Sequence, residues 1–478
     1  MERRSFLKQA MAIAPAAIAT PMALGELAEA QTAQSVGAVP TSQKRDVGHP
    51  APRGPKVTLN VKDLGATGDG KTKDTLALQL AIERCANLGG GEVVVPAGDY
   101  LTGALTLKSG VTLRIDEGAT LQSTTDLVAD YALAQVRWEG HFIKGYMGFI
   151  SATDATDIAL VGKGKIIGNP TLRGRVERAT GLRYPALIEF VNCKNVRMEG
   201  LYTEQFGMWS THPLFCENVT FKDVTFKSGA DGIDVDSCRH TVIDGCTFDT
   251  VDDSISLKSG RGAEGNTIGR VCEDVLITNC TMSDRVFACI GIGSETSAGV
   301  RNVRIEKCKF VHARSHAIFI KSRVGRGAFV EDIAATDLDV GDMGLGFLQI
   351  NNLSVGKDDG EASVPGEAGI PLFRNFKFSN VRVKDVPFLV DAKAISPQKP
   401  LDGLTLENIT GTCKKGIELA YVKNAHLSGI KVTGYEGPLL ATYHVTGTGL
   451  AGAVPLDPAK LPKGPEVLPK PKTAFELK

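Results

Sequence analysis

Asp231, Asp252 and Asp253 are the residues whose types and spacing could do chemistry. Asp231 stands two residues before Ile233, and Asp253 two residues before Ile255, so the two aspartates hold one position in successive copies of a short apolar strand. Equal positions on stacked strands lie about one strand spacing apart, ~5 Å. Asp252 adjoins Asp253 and points elsewhere, because side chains of an extended chain alternate. Carboxyls this close repel one another, and repulsion raises at least one pKa. The outcome is a protonated acid beside a carboxylate base. Such a pair can break a glycosidic bond, the acid protonating the departing oxygen while the carboxylate activates water or attacks. Two other readings use the same residues. Asp before Gly forms turns through local hydrogen bonds, and clustered aspartate oxygens suit a hard cation such as calcium.

The elements that position these residues are repeats. Asn195-Val196-Arg197-Met198-Glu199-Gly200-Leu201 is echoed by Asn218-Val219-Thr220-Phe221-Lys222-Asp223-Val224 and by Asn302-Val303-Arg304-Ile305-Glu306-Lys307-Cys308. The anchors Val196, Val219, Thr241, Val275 and Val303 are spaced 23, 22, 34 and 28 residues apart, with weaker copies from Ile333, Phe376, Leu404 and Ala425. A loose period in the twenties, built only from strands, predicts an all-β, right-handed, single-stranded parallel β-helix, with the longer intervals bulging as loops. A second strand recurs at Ile233–Val235, Ile255–Leu257, Ile290–Ile292 and Ile318–Ile320. Its branched residues face inward, which turns Asp234, Asp236, Ser256, Lys258, Phe319 and Lys321 outward on one face.

Seven cysteines fall at equal offsets from the anchors, Cys193, Cys216, Cys238 and Cys272 three before and Cys246, Cys280 and Cys308 five after. Equal offsets predict stacked ladders of reduced, packed thiols; disulfides or a metal site are the rivals in an exported chain. Asp74 to Asn87 has helical spacing through Leu76, Leu80 and Ile82 and ends on Gly89-Gly90-Gly91, a helix to cap the open end of the stack.

The 54 basic and 54 acidic side chains balance, which gives no electrostatic reason for nucleic acid or an anionic membrane as partner. The N-terminus carries Arg3-Arg4-Ser5-Phe6-Leu7-Lys8, an apolar run from Ala10 to Leu24 and a small-residue site, Ala28-Glu29-Ala30. Paired arginines before such a run resemble a twin-arginine export signal. The run falls short of the ~20 residues that a membrane-spanning helix needs. The expected organisation is a signal peptide at 1–30, a flexible linker at 31–55, the β-helix at 56–436 and a Pro-rich tail at 437–478 that runs over the surface. The mature protein is expected to be periplasmic or secreted, off the membrane, and monomeric.

With these residues in place, the chain resembles glycoside hydrolase family 28, the polygalacturonases, over roughly residues 57–435. Gly229-Ala230-Asp231-Gly232-Ile233-Asp234 resembles the family's Asn-Thr-Asp-Gly block at its Asp and Gly, and Asp252-Asp253-Ser254-Ile255-Ser256-Leu257-Lys258-Ser259-Gly260 its Asp-Asp block. Ile292-Gly293-Ser294-Glu295 is similar to the end of the Gly-His-Gly block, and Ile320-Lys321 with Gly325-Arg326-Gly327 to the Arg-Ile-Lys block. Arg137-Trp138-Glu139-Gly140, similar to a segment of exo-acting members, and Trp209-Ser210-Thr211-His212-Pro213 add to it. The resemblance implies inverting hydrolysis of pectin-type, galacturonate-containing chains without cofactor or metal. It makes Asp252 the general acid, Asp231 and Asp253 the groups that activate water, and Lys321 a binder of the substrate carboxylate. Lys258, Trp209, His212, Trp138 and Arg326 are further candidates for substrate contact.

The chain departs from the pattern where the family His falls at Phe287 and the family Arg at Phe319. Two aromatics there would stack on a less polar sugar, which brings rhamnogalacturonan hydrolysis into view. A calcium-dependent lyase and a non-catalytic carbohydrate-binding β-helix are the readings from other classes.

Overall fold

A computed structural model of the chain describes residues 57–464, apart from Val286 and residues 357–360. The export segment, the linker and the end of the tail lie outside the described residues. Within them, 33 strands join in one parallel network and a separate hairpin, Leu133–Trp138 with His141–Tyr146, pairs antiparallel. Three strands per coil stack into three parallel sheets. The anchors meet in register, Val196 opposite Val219, then Thr241, Val275, Val303, Ile333, Phe376 and Leu404 in turn. The second strand set forms its own ladder, Ile233, Ile255, Ile290, Ile318 and Leu348. The third ladder, Phe226, Phe248, Met282 and Phe310, fills the remaining wall with buried aromatics and methionine. Phe226 and Phe248 stack nearly parallel, with ring centroids 5.0 Å apart.

Two corner ladders explain the repeat. The residue before each anchor (Asn195, Asn218, His240, Asp274, Asn302, Asp332, Asn375) turns the chain at a φ between 52° and 59°. Asn and Asp accept this left-handed conformation more readily than other side chains. They also bond to the coil below, as when Asn218 donates to Asn195 Oδ1 at 3.0 Å. Two residues earlier in the same turn, the Cys193 N–H donates to Cys216 Sγ at 3.4 Å, and the Cys216 N–H to Cys238 Sγ at 3.3 Å. All ten cysteines are buried and none forms a disulfide.

The capping helix spans Thr75–Asn87 but buries a different face from the expected one. Leu76 and Leu80 point to solvent, while Leu78, Ala81, Ile82 and Cys85 cover the end of the stack. These four follow the i, i+3, i+4, i+7 spacing of one helix face, which Leu76 and Leu80 do not share with them. The coil stack also continues beyond residue 436. Leu440–Thr448 pairs with the preceding coil, and Val454–Pro455 adds a last edge at Ala441 and Thr442. Proline is tolerated there because an edge strand can leave its outer side unbonded. No helix among the described residues is long and apolar enough to cross a membrane.

The thiol ladder gives a direct test. Native protein isolated without reductant is expected to react with none of its ten thiols in a short Ellman assay, and with all ten after unfolding in guanidinium. A count below ten in denaturant would reveal a disulfide.

Candidate active site

The second sheet and the loops over it enclose a cleft of about 380 Å³. Its lining includes Asp231, Asp252, Asp253, Lys258, Lys321, Trp209 and Phe287. The register places Asp231 and Asp253 as the spacing requires, since Gly232 N–H donates to Asp253 O and Ile233 lies opposite Ile255. Ser256 lies between the two carboxylates, with Oγ 3.3 Å from Asp231 Oδ2 and 2.9 Å from Asp253 Oδ2. Asp253 fits only because Gly291 lies on the next coil: a Cβ at 291 would stand 2.2 Å from Asp253 Oδ2.

The three carboxyls differ in their partners. Asp231 accepts from Lys258 Nζ at 3.2 Å, and Arg175 approaches its Oδ1 at 3.5 Å. Burial pushes its pKa up, yet the Lys258 and Arg175 charges overcome that and hold it below the usual carboxylate value. Its neighbour Asp234, hydrogen-bonded to the same ammonium, is pushed well up by burial and by the Asp231 charge. Asp253 accepts from Lys321 Nζ at 3.0 Å and is raised to about 6, first by burial and then by the charges of Asp252 and Asp231, against the pull of Lys321. Repulsion is thus the lesser cause of the rise at Asp253, and burial the greater. Asp252 is the most open of the three; its Oδ1 accepts the Asp253 N–H at 3.0 Å and its Oδ2 a hydrogen bond from Arg175.

Arg175 was not foreseen. It stands on a small hairpin between Ile167 and Ile188, where Glu177 N–H donates to Leu182 O at 2.8 Å and Tyr184 N–H to Arg175 O at 3.0 Å. The signal in the sequence is length: about twenty residues separate these strands, against five between Gln205 and Thr211 one coil later.

Lys258 lines the cleft, but its ammonium is committed to Asp231 and Asp234 and rests 4.4 Å from the centre of the Trp209 ring. Lys321 lies 4.1 Å from the centre of the Phe287 ring, which stacks on Phe319 at 5.7 Å. Phe287 reaches the cleft, whereas Phe319 is buried behind it. Trp209 is almost wholly covered by Trp138, with ring centroids 5.2 Å apart.

His212 and Arg326 are not where the sequence led. His212 is fully buried under the cleft floor, its Nδ1 3.1 Å from Glu189 Oε1 and its Nε2 3.7 Å from Asp236 Oδ2. It belongs to a chain of buried charges that runs from Arg183 through Glu189 to Asp236 and Arg137. The loops that cover the outward face of the second sheet bury it. Arg326 is likewise buried and bonds Glu361. No histidine lines the cleft, so among the described residues its acid–base groups are carboxyls.

The Leu133–Tyr146 hairpin reaches the cleft through Glu139. The tip of the Leu133–Tyr146 hairpin, Glu139-Gly140, turns with both φ values positive and packs on Arg261. A Cβ on Gly140 would stand 2.6 Å from that of Arg261, so only glycine allows the contact. Arg261 binds His141 at 3.0 Å, Glu139 at 3.6 Å and Glu361 at 3.0 Å, joining hairpin, coil loop and the segment of Glu361.

The model of the "Glycosyl hydrolases family 28" matches residues 85–352. A probable polygalacturonase of Vitis vinifera is 27% identical over 372 residues, 74% of each chain. Among solved structures, a hyperthermoactive exopolygalacturonase from Thermotoga maritima superposes with a TM-score of 0.64 at 23% identity, covering 79% of this chain and 93% of that one. A family 28 exopolygalacturonase from Yersinia enterocolitica gives a TM-score of 0.70 at 19% identity over 84% of this chain and 79% of that one. Both similarities are of fold, the right-handed parallel β-helix.

The raised Asp253 has a measurable consequence for stability. Between pH about 4 and about 6 the folded protein holds a proton that the unfolded chain releases, so stability falls as pH rises through that window. Asp253→Asn is expected to flatten this slope by an amount on the order of 2–3 kcal/mol. Urea titrations at pH 4, 5, 6 and 7 would show it, and an unchanged slope would place the raised proton elsewhere.

Proposed function

Because the chain belongs to glycosyl hydrolases family 28, whose model covers more than half of its length, we propose that it hydrolyses α-glycosidic bonds of pectic, galacturonate-containing chains with inversion, from a chain end. The observation that carries this reading is the division of labour among three carboxyls in one cleft. Asp231 is held ionised by two cations, and its Oδ1 accepts no hydrogen bond from a described residue. It is suited to take a proton from the attacking water. Asp253 shares the Ser256 hydroxyl with it and completes the water site once ionised. Asp252, on the open side, donates the proton to the departing oxygen. The C–O bond breaks as the water oxygen bonds to the sugar carbon, and one proton moves to Asp231 while another leaves Asp252. Lys321 adds a positive charge beside the Phe287 ring.

The hairpin tip that brings Glu139 to the cleft, pinned by Arg261, supports action at a chain end, because a loop laid across a groove favours a terminus over a mid-chain segment. The exopolygalacturonases named above agree with it. Phe287, backed by the buried Phe319, favours a second sugar less polar than galacturonate beyond the cleaved bond, as in a rhamnogalacturonan fragment. An export signal at residues 1–30 and action outside the cytoplasm complete the proposal.

Incubation with oligogalacturonides and with rhamnogalacturonan fragments tests it. Saturated monosaccharide released with inverted anomeric configuration, seen by proton NMR, is the expected result; an unsaturated uronate product would make the protein a lyase. Asp252→Asn is expected to lower kcat by about 10²–10⁴-fold with the fold unchanged. Gly291→Ala pushes Asp253 out of line, and a displacement of that kind costs about 10² in rate. An alanine variant at 291 with full activity would remove Asp253 from the water site.

A further inference from the structure

Four cationic side chains line the cleft, and each already holds a carboxylate. Lys258 bonds Asp231 and Asp234, Lys321 bonds Asp253, Arg261 bonds Glu361, and Arg175 bonds Asp252. A negatively charged sugar must therefore share one of these cations with its present partner or draw it away. Three of the four are locked, with side chains only 6%, 9% and 4% exposed for Lys258, Lys321 and Arg261, whereas Arg175 is 29% exposed. The backbone of Arg175 is fixed by the Tyr184 hydrogen bond, so its long side chain can turn without any coil moving. Its guanidinium also lies 5.9 Å from the centre of the Trp138 ring, a flat face beside which a sugar can pass. A guanidinium matches a carboxylate with two parallel donors, which an ammonium cannot do.

The present partner of Arg175 is the second half of the argument. Both oxygens of Asp252 are occupied, Oδ1 by the Asp253 N–H at 3.0 Å and Oδ2 by Arg175. A carboxyl that is to donate a proton must present one oxygen to the leaving group, and here each oxygen already faces a donor. While Arg175 holds Oδ2, a leaving oxygen that approaches there meets the guanidinium first.

We propose that Arg175 recognises the carboxylate of the sugar, and that its transfer from Asp252 to that carboxylate frees Asp252 Oδ2 to take a proton from solvent and pass it to the leaving oxygen. This deepens the hydrolase reading and rests on it for the role of Asp252. It also gives the position lost at Phe319 a substitute from another part of the chain. Arg175 acts on the acid as a positioning residue and on the substrate as a specificity residue. A neutral sugar in the same place leaves Arg175 on Asp252 and the acid blocked.

The test is a binding cycle with galacturonate, which is already a monosaccharide and offers no bond to hydrolyse, and with galactose as its uncharged counterpart. Calorimetric titration of the wild type, Arg175→Gln, Asp252→Asn and the double variant reads the coupling directly. Arg175→Gln is expected to weaken galacturonate at least tenfold and leave galactose unchanged, with Arg175→Lys in between. Asp252→Asn releases Arg175 and is expected to tighten galacturonate several-fold, a gain that disappears in the double variant. A gain that persists there would mean that Asp252 merely repels the sugar and would overturn the proposal. Equal binding of galacturonate and galactose by the wild type would overturn it as well. A protein that passes the cycle yet cleaves no galacturonide would refute the hydrolase reading and leave the recognition role of Arg175 standing.

Discussion

The ammonium of Lys258 is the charge around which the cleft is arranged. It is buried between Asp231 and Asp234 and rests on the face of Trp209. Taking a lysine and two carboxyls out of water is costly, and only close pairing offsets the loss of hydration. The parallel register supplies that pairing, because strand ends of successive coils repeat every ~4.8 Å and bring residues 22 to 27 apart in sequence into hydrogen-bond range. One ammonium cannot neutralise two carboxylates. Asp231 keeps its charge with help from Arg175, and Asp234 is driven towards its neutral form. The lysine also fixes Trp209, Trp209 seats Trp138, and Trp138 ends the strand that leads to Glu139 in the lining of the cleft.

Much of this was legible in the sequence, and the limits have physical causes. The anchors from Val196 to Leu404 fall in one ladder because a coil must return each apolar side chain to the same wall of the core. The pairing of Asp231 with Asp253 follows from that period. The spacing did not reveal the third ladder of Phe226 and Phe248, although its aromatics recur with the same interval. What a repeat cannot reveal is what covers it. His212 and Asp234 both belong to the outward positions of the second strand, and outward from the coil does not mean exposed. Both are instead fully buried, His212 against Trp209 and Glu189 and Asp234 against Lys258. Arg175 was missed for the same reason, since its hairpin is an insertion with no counterpart in the neighbouring coils.

Asp231 and Asp253 hold the same repeat position, are both fully buried, and shift in opposite directions. Burial acts on both, so the cations decide. Asp231 faces two, Lys258 and Arg175, and stays charged. Asp253 faces Lys321 alone, and the balance leaves it near 6. The positions from which further positive groups could have reached Asp253 are Phe287 and Phe319, whose rings flank the one ammonium present. An aromatic face steadies a cation but adds no net charge. Exchanging polar side chains for rings at 287 and 319 therefore changes more than the sugar that fits there. It withholds charge from one carboxyl of a stacked pair, and two groups made equivalent by the repeat become one carboxylate held ionised and a partner raised to about 6.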